Sequence, residues 1–140
     1  MQIYRQFASD LLQLLGAATA IRIRCAGYLP LSIEDIGPDG EGRRQISICH
    51  YGEQNGDPMR DPEMVFAFHD WGTFLAAEPV SYRNDYMGVD QECYVCDRDG
   101  KRLQVRLDLK AQFKAFAQSW FRNLHAQGFF GPNAIREPIA

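Results

Sequence analysis

Two groups of residues in this chain have types and spacings that could do chemistry. The first is Cys93-Tyr94-Val95-Cys96, the spacing of half a zinc site or of a dithiol redox pair. A tetrahedral metal needs a second pair of ligands, and no second pair stands at a matching interval; Cys49, His50 and His69 are scattered. On a strand, residues three apart point to opposite faces, and the motif does not open a helix that would favour a thiolate. The four cysteines are therefore expected as reduced structural thiols, with no metal and no cofactor. The second group is the polar stretch Asn55-Gly56-Asp57-Pro58-Met59-Arg60-Asp61-Pro62-Glu63, with Tyr82-Arg83-Asn84-Asp85-Tyr86 further on and His50-Tyr51 just before it.

If these stretches meet, Asp57, Asp61 and Asp85 with His50 form an acidic pocket able to take a divalent cation through oxygen ligands or to do acid–base work. His50, Asn55, Asp57, Arg60, Asp61, Asn84 and Asp85 are the ligand- or partner-binding candidates, and none is assigned as catalytic. The competing reading is structural, and it is the stronger one. Asn-Gly and Asp-Pro are turn chemistry, Arg60 has carboxylates on both sides, and Asn84 or Asp85 suits capping of backbone amides. The spacing is not that of a helical calcium loop, and no phosphate loop, nucleophile elbow or paired His-Glu metal motif occurs.

Charge bears on partners. The net charge is −3, yet residues 51–100 hold eleven acidic and three basic side chains and residues 101–140 hold seven basic and two acidic. Arg22, Arg24, Arg43, Arg44, Lys101, Arg102 and Arg106 could line one sheet face, but an isoelectric point near 5.6 is not the footprint of a dedicated nucleic-acid binder. Conversely, Asp85, Asp90, Glu92, Asp97 and Asp99 could present repeated negative charge to a basic protein. A protein partner is expected ahead of nucleic acid, and no membrane is.

The elements that must position these residues can be read from periodicity. Ile3, Phe7, Leu11, Leu14 and Leu15 form one helical stripe over 3–15, ended by Gly16. Strand alternation follows at 21–25, 29–34, 46–49, 64–69 and 80–83. Asp99-Gly100 predicts a two-residue type I′ hairpin between 91–96 and 102–107, with Leu103, Val105 and Leu107 facing inward. Leu109, Phe113, Phe116, Trp120 and Leu124 share a helical face, with Asp108 as N-cap, Gly128 as C-cap and Trp120 in the core. The fold class is α+β: an antiparallel sheet of about five to seven strands with an N-terminal and a C-terminal helix packed on it. Residues 1–130 form one domain and 131–140 an irregular tail. With 46% apolar and 24% charged residues the 140-residue chain has the composition of an ordinary globular protein, and charges interrupt every apolar run before it could span a bilayer. A cytoplasmic location is the expectation.

The run from Gln54 to Phe66, Gln-Asn-Gly-Asp-Pro-Met-Arg-Asp-Pro-Glu-Met-Val-Phe, resembles the leading motif of an uncharacterised bacterial domain family found on plasmids, integrative elements and phages. The stretch from Pro79 to Glu92 is similar to its second motif, and Trp120, Asn123-Leu124 and Gly128-Phe129 fit its closing helix. The resemblance covers the chain from about Leu29 onward. It implies no established activity and no catalytic residues. It implies a setting, mobile-element accessory genes, and it singles out the same two polar stretches. On that basis the expected function is an accessory protein of a mobile element that binds another macromolecule, with interference with a host defence system as one form. The alternative is a metal-assisted or acid–base enzyme built on residues 55–63 and 82–86.

Overall fold

The computed structural model describes residues 2–139. Helix α1 (Gln2–Leu15) leads into a meander of β1 (Ala20–Arg24), β2 (Leu31–Pro38), β3 (Arg44–Gln54), β4 (Asp57–Asp70), β5 (Leu75–Asn84) and β6 (Val89–Glu92). A separate hairpin, β7 (Tyr94–Cys96) and β8 (Arg102–Val105), precedes α2 (Leu107–Gln127), and β9 (Ile135–Pro138) closes the chain. The main sheet has seven strands in the order β6-β5-β4-β3-β2-β1-β9, all pairs antiparallel. The α+β class and the two terminal helices agree with the sequence.

Alternation decides which face the helices cover. Ile21 and Ile23, Leu31 and Ile33, Ile46 and Ile48, and Met64, Phe66 and Phe68 all enter one core with Phe7, Leu11 and Leu14 of α1 and Phe113, Phe121 and Leu124 of α2. Three rings tie the layers: Phe7, Phe66 and Phe121 lie with centroids 5.2 to 5.6 Å apart in edge-on or tilted contacts. Trp120 is buried, as its place on the stripe requires, whereas Phe116 is 37% exposed and meets Tyr82 edge-on at the margin. The other face of the sheet, with Gln45 and Val65, is roofed in part by the β7–β8 hairpin, leaving a groove of about 500 Å³ between them.

Several local expectations are corrected. The polar stretch 55–63 is a tight turn followed by strand: Asn55 (φ 54°) and Gly56 (φ 85°) both hold the positive φ of a two-residue hairpin turn, and Asp57 already begins β4. The Asp99-Gly100 turn is the longer kind. Asp97 N–H donates to Lys101 O and Gly100 N–H to Asp97 O, while the Asp97 carboxylate accepts from Asp99 and Lys101 N–H at 2.9 Å each. That side chain stabilises a type I turn with a bulge at Gly100, the one residue there with positive φ. The first arm also splits, β6 joining the main sheet and β7 pairing with β8. Leu103, Val105 and Leu107 do not face inward; they are 61%, 39% and 70% exposed. Arg106, not Asp108, is the N-cap of α2, and Asp108 sits in its first turn. The tail is not irregular: β9 pairs with β1 from Ile21↔Pro138 to Arg24↔Ile135, and Arg136 donates to the Leu14 carbonyl at the end of α1. Ala140, also in the expected tail, lies outside the described residues.

Candidate functional site

The polar residues singled out by sequence separate into three places. Asn55 and Asp57 sit exposed at the β3–β4 hairpin. Arg60, Asp61, Asn84 and Asp85 come together where β4 meets the end of β5. Asp85 accepts from Arg60 N–H at 2.8 Å and from the guanidinium nitrogens of Arg60 at 3.3 Å and Arg83 at 3.2 Å. Asp85 N–H returns a bond to Arg60 O, and Asn84 Nδ2 donates to Asp61 at 3.0 Å. The Arg60 amide, ahead of the neighbouring guanidinium charges, holds the Asp85 carboxyl below its ordinary range. The cluster is thus a clasp in which each carboxylate already has a donor. Among the described residues no set of three or more His, Cys, Asp or Glu side chains is placed to hold a metal ion.

His50 occupies the register shift of β3 between Cys49 and Tyr51. Its Nδ1 lies 3.1 Å from Leu29 O and 3.4 Å from Pro30 O, so Nδ1 carries the proton and donates. Its ring packs on Trp120 and Phe129 at 5.6 and 5.5 Å, and desolvation lowers its pKa against the pull of those two carbonyls. The cysteines also divide. Burial pushes Cys49 up to about 12 and Cys93 up to about 11, while Cys96 is exposed.

The feature sequence reasoning missed is Glu78. Paired with Ala67 on β4, it points away from the core face that Ala77 occupies, yet it is only 3% exposed. Tyr94 O–H donates to it at 2.7 Å, Lys110 Nζ stands at 2.8 Å, and Arg102 and His69 each approach to 3.5 Å. Burial alone would raise its pKa; the Lys110 and Tyr94 hydrogen bonds and the Lys110 and Arg102 charges outweigh that and lower it. The same carboxylate raises Lys110 and, together with burial, lifts the Tyr94 phenol to about 12. Arg102 also lies 3.7 Å over the Tyr94 ring. Four elements, β4, β7, β8 and α2, converge here on one side chain of β5. Glu78 stands in an otherwise apolar strand run, Leu75-Ala76-Ala77-Glu78-Pro79-Val80, and that anomaly was the available signal.

Next to this network stands Trp71, in the β4–β5 turn, 57% exposed. Its ring stacks nearly parallel on His69 with centroids 6.2 Å apart, and His69 is held in turn by Glu78. Trp71 lines two hollows. The larger, about 560 Å³, has Phe68 and Leu75 among its apolar walls and Arg43 and Arg44 at its side. The smaller, about 190 Å³, reaches Tyr4, Glu78, Tyr94 and Lys110.

The surface charges expected to form binding faces are largely answered within the chain. Arg24 pairs with Glu137, Arg43 with Asp39 and Glu41, Arg44 with Asp35, and Arg102 with Glu78. Of the acidic set, Asp85 and Asp90 meet Arg83 and Asp97 is occupied by its own turn. No helix among the described residues is long and apolar enough to cross a membrane.

No curated protein and no solved structure matches the chain. A family profile does, over residues 2–130, beginning earlier than the motif resemblance near Leu29 and ending before β9. With its meander sheet, terminal helices and both polar stretches inside that span, the chain belongs to DUF6908, a domain of unknown function.

Proposed function

We propose that the chain is a non-catalytic binding protein that engages a protein partner over the Trp71 ridge. The observation behind this reading is an indole left more than half in solvent on a fixed mount. Tryptophan supplies more interface energy than any residue of comparable abundance, and it does so best when its rotamer is set before binding. Here the mount is His69, and behind it the Glu78 network. A projecting ring between two hollows suits a polypeptide that straddles it, filling the apolar hollow beside Phe68 and Leu75. The clasp of Arg60, Asp61, Asn84 and Asp85 acts in this reading as a support that fixes β4 against β5. The resemblance to domains of bacterial plasmids, integrative elements and phages supports placing the protein among mobile-element accessory proteins, with interference with a host defence system as the form of action.

Affinity-tagged protein with and without Trp71→Ala, cross-linked in its native host and purified with nuclease treatment, tests the reading. The expected result is a protein captured by the wild type and lost with the variant at unchanged melting temperature. Retention of the same captured proteins by Trp71→Ala would overturn it, and so would capture that depends on nucleic acid.

A further inference from the structure

Two cations beside the Trp71 ridge are left unanswered by the protein's own carboxylates. Tyr4 of α1 and Lys110 of α2 line the smaller hollow together with the indole. Next to Tyr4, the Arg5 guanidinium lies 4.3 Å over the ring of Phe74, whose carbonyl accepts from Trp71 N–H at 3.0 Å across the β4–β5 turn. One turn beyond Lys110, Lys114 Nζ stands 5.9 Å from the centroid of the Tyr4 ring. Lys110 is spent on Glu78. Arg5 and Lys114 are exposed, and among the described residues neither has a carboxylate partner. The first turn of α1 holds no acidic residue, and the Asp70 carboxylate accepts from Gly72 N–H at 2.8 Å. Asp108 stands about half a turn round α2 from both lysines.

We propose, resting on the Trp71 ridge as the binding surface, that the polypeptide seated there is acidic, with carboxylates on Arg5 and Lys114 and an aliphatic or aromatic side chain in the larger hollow. A ring fixes a cation without neutralising it. Stacking occupies the face of the Arg5 guanidinium and leaves its N–H edge free for a carboxylate held by two parallel bonds. The larger hollow asks for something different. The carboxylates on its side, Asp35, Asp39 and Glu41, are held by Arg43 and Arg44, so the walls of Phe68 and Leu75 suit an apolar side chain. Polypeptide carboxylates fit better than a phosphate backbone. The chain carries a net charge of −3, and a nucleic-acid strand needs a basic track with successive stacking rings. This surface offers one exposed indole and two unanswered cations. Exposed ion pairs are individually weak, so the indole and the apolar hollow supply most of the affinity, and the cations select the partner and make binding salt-dependent.

A displayed library of random dodecapeptides, selected on the wild type and counter-selected on Trp71→Ala, supplies the probes. The survivors are expected to carry Asp and Glu around an aliphatic or aromatic residue. Synthesised with a fluorescent label, they are expected to bind Arg5→Glu combined with Lys114→Glu at least about tenfold more weakly than the wild type. That variant should melt close to the wild type, because both side chains are exposed. Survivors that are neutral or basic, or that bind the charge-reversed variant equally well, overturn the acidic assignment and leave the Trp71 ridge standing. Absence of any peptide that separates the wild type from Trp71→Ala removes the ridge itself, and the acidic assignment with it. Binding of labelled oligo-dT that is abolished by Arg5→Glu with Lys114→Glu overturns the assignment by giving these cations to phosphate.

Discussion

Glu78 shows what one residue can fix. Removing a carboxylate from water is unfavourable unless its oxygens are answered, and Tyr94, Lys110, Arg102 and His69 answer them. Glu78→Gln is expected to lower unfolding stability by about 2–3 kcal/mol in urea titrations at neutral pH, below the usual loss for a fully buried pair because Lys110 is partly exposed. The sign of the pH effect follows from the depressed folded-state pKa. Stabilisation by the ionised form is complete above the unfolded value of ~4.3 and is lost as pH falls through the lower folded value. The wild type should therefore lose stability below about pH 4.5 more steeply than Glu78→Gln; parallel pH profiles for the two would show that the network is not what links stability to acid. The two tryptophans separate just as sharply. Trp120→Ala removes a buried ring and should cost about 3–5 kcal/mol. Trp71→Ala should change stability by no more than about 0.5 kcal/mol, and near-equal effects in thermal melts would contradict the burial assigned to them.

Among the elements, the β7–β8 hairpin joins the two sides of the sheet. Its strands are held to β5 through Glu78, and Arg102 N–H donates to Glu41 in the β2–β3 turn at 3.0 Å. Its tip rests directly on Gly40, where a Cβ would stand 2.5 Å from both Asp99 O and Gly100 Cα. Backbone on both sides leaves nothing flexible to yield. Gly40→Ala is expected to cost about 1–3 kcal/mol by overpacking and to speed hydrogen exchange in residues 94–105 ahead of β3 and β4. Uniform acceleration across the domain would mean that the hairpin is not a separable unit. The turn chemistry also belongs at this scale. Both Asn55-Gly56 and Asp99-Gly100 were visible as turn signals, but the two-residue form went to the first. In the second, the Asp97 carboxylate captured two amides and opened the loop.

For the whole molecule, the question is how a seven-stranded sheet with helices on one face manages its edges. β9 covers the β1 edge although all four of its residues are exposed, so it contributes backbone hydrogen bonds and the Arg24–Glu137 pair rather than apolar burial. Truncation after Gly131 is expected to leave a cooperatively folding domain, since the core and the family span end before β9. The expected loss is about 1–3 kcal/mol, a few net hydrogen bonds, together with a greater tendency to aggregate through the bared β1 edge. Complete unfolding of the truncated chain would show that β9 is integral to the core.

Sequence alone determined the α+β class, the two helices and their C-terminal glycines, and the core alternation of β3 and β4. These rest on local periodicity and on glycine geometry, both of which survive without knowledge of distant contacts. It also marked Arg60, Asp61, Asn84 and Asp85, because polar residues concentrated beside apolar strands are visible as composition. Only the tertiary structure decided that Asp85 is spent on two arginines and that His50 turns toward Trp120, since register between strands sets those neighbours. The same holds for the exposed row of β8. Alternation shows that Leu103, Val105 and Leu107 share a side, but not which side meets the protein. Arg102 was drawn inward by Glu78, twenty-four positions away in sequence, and that pairing turned the aliphatic side to solvent.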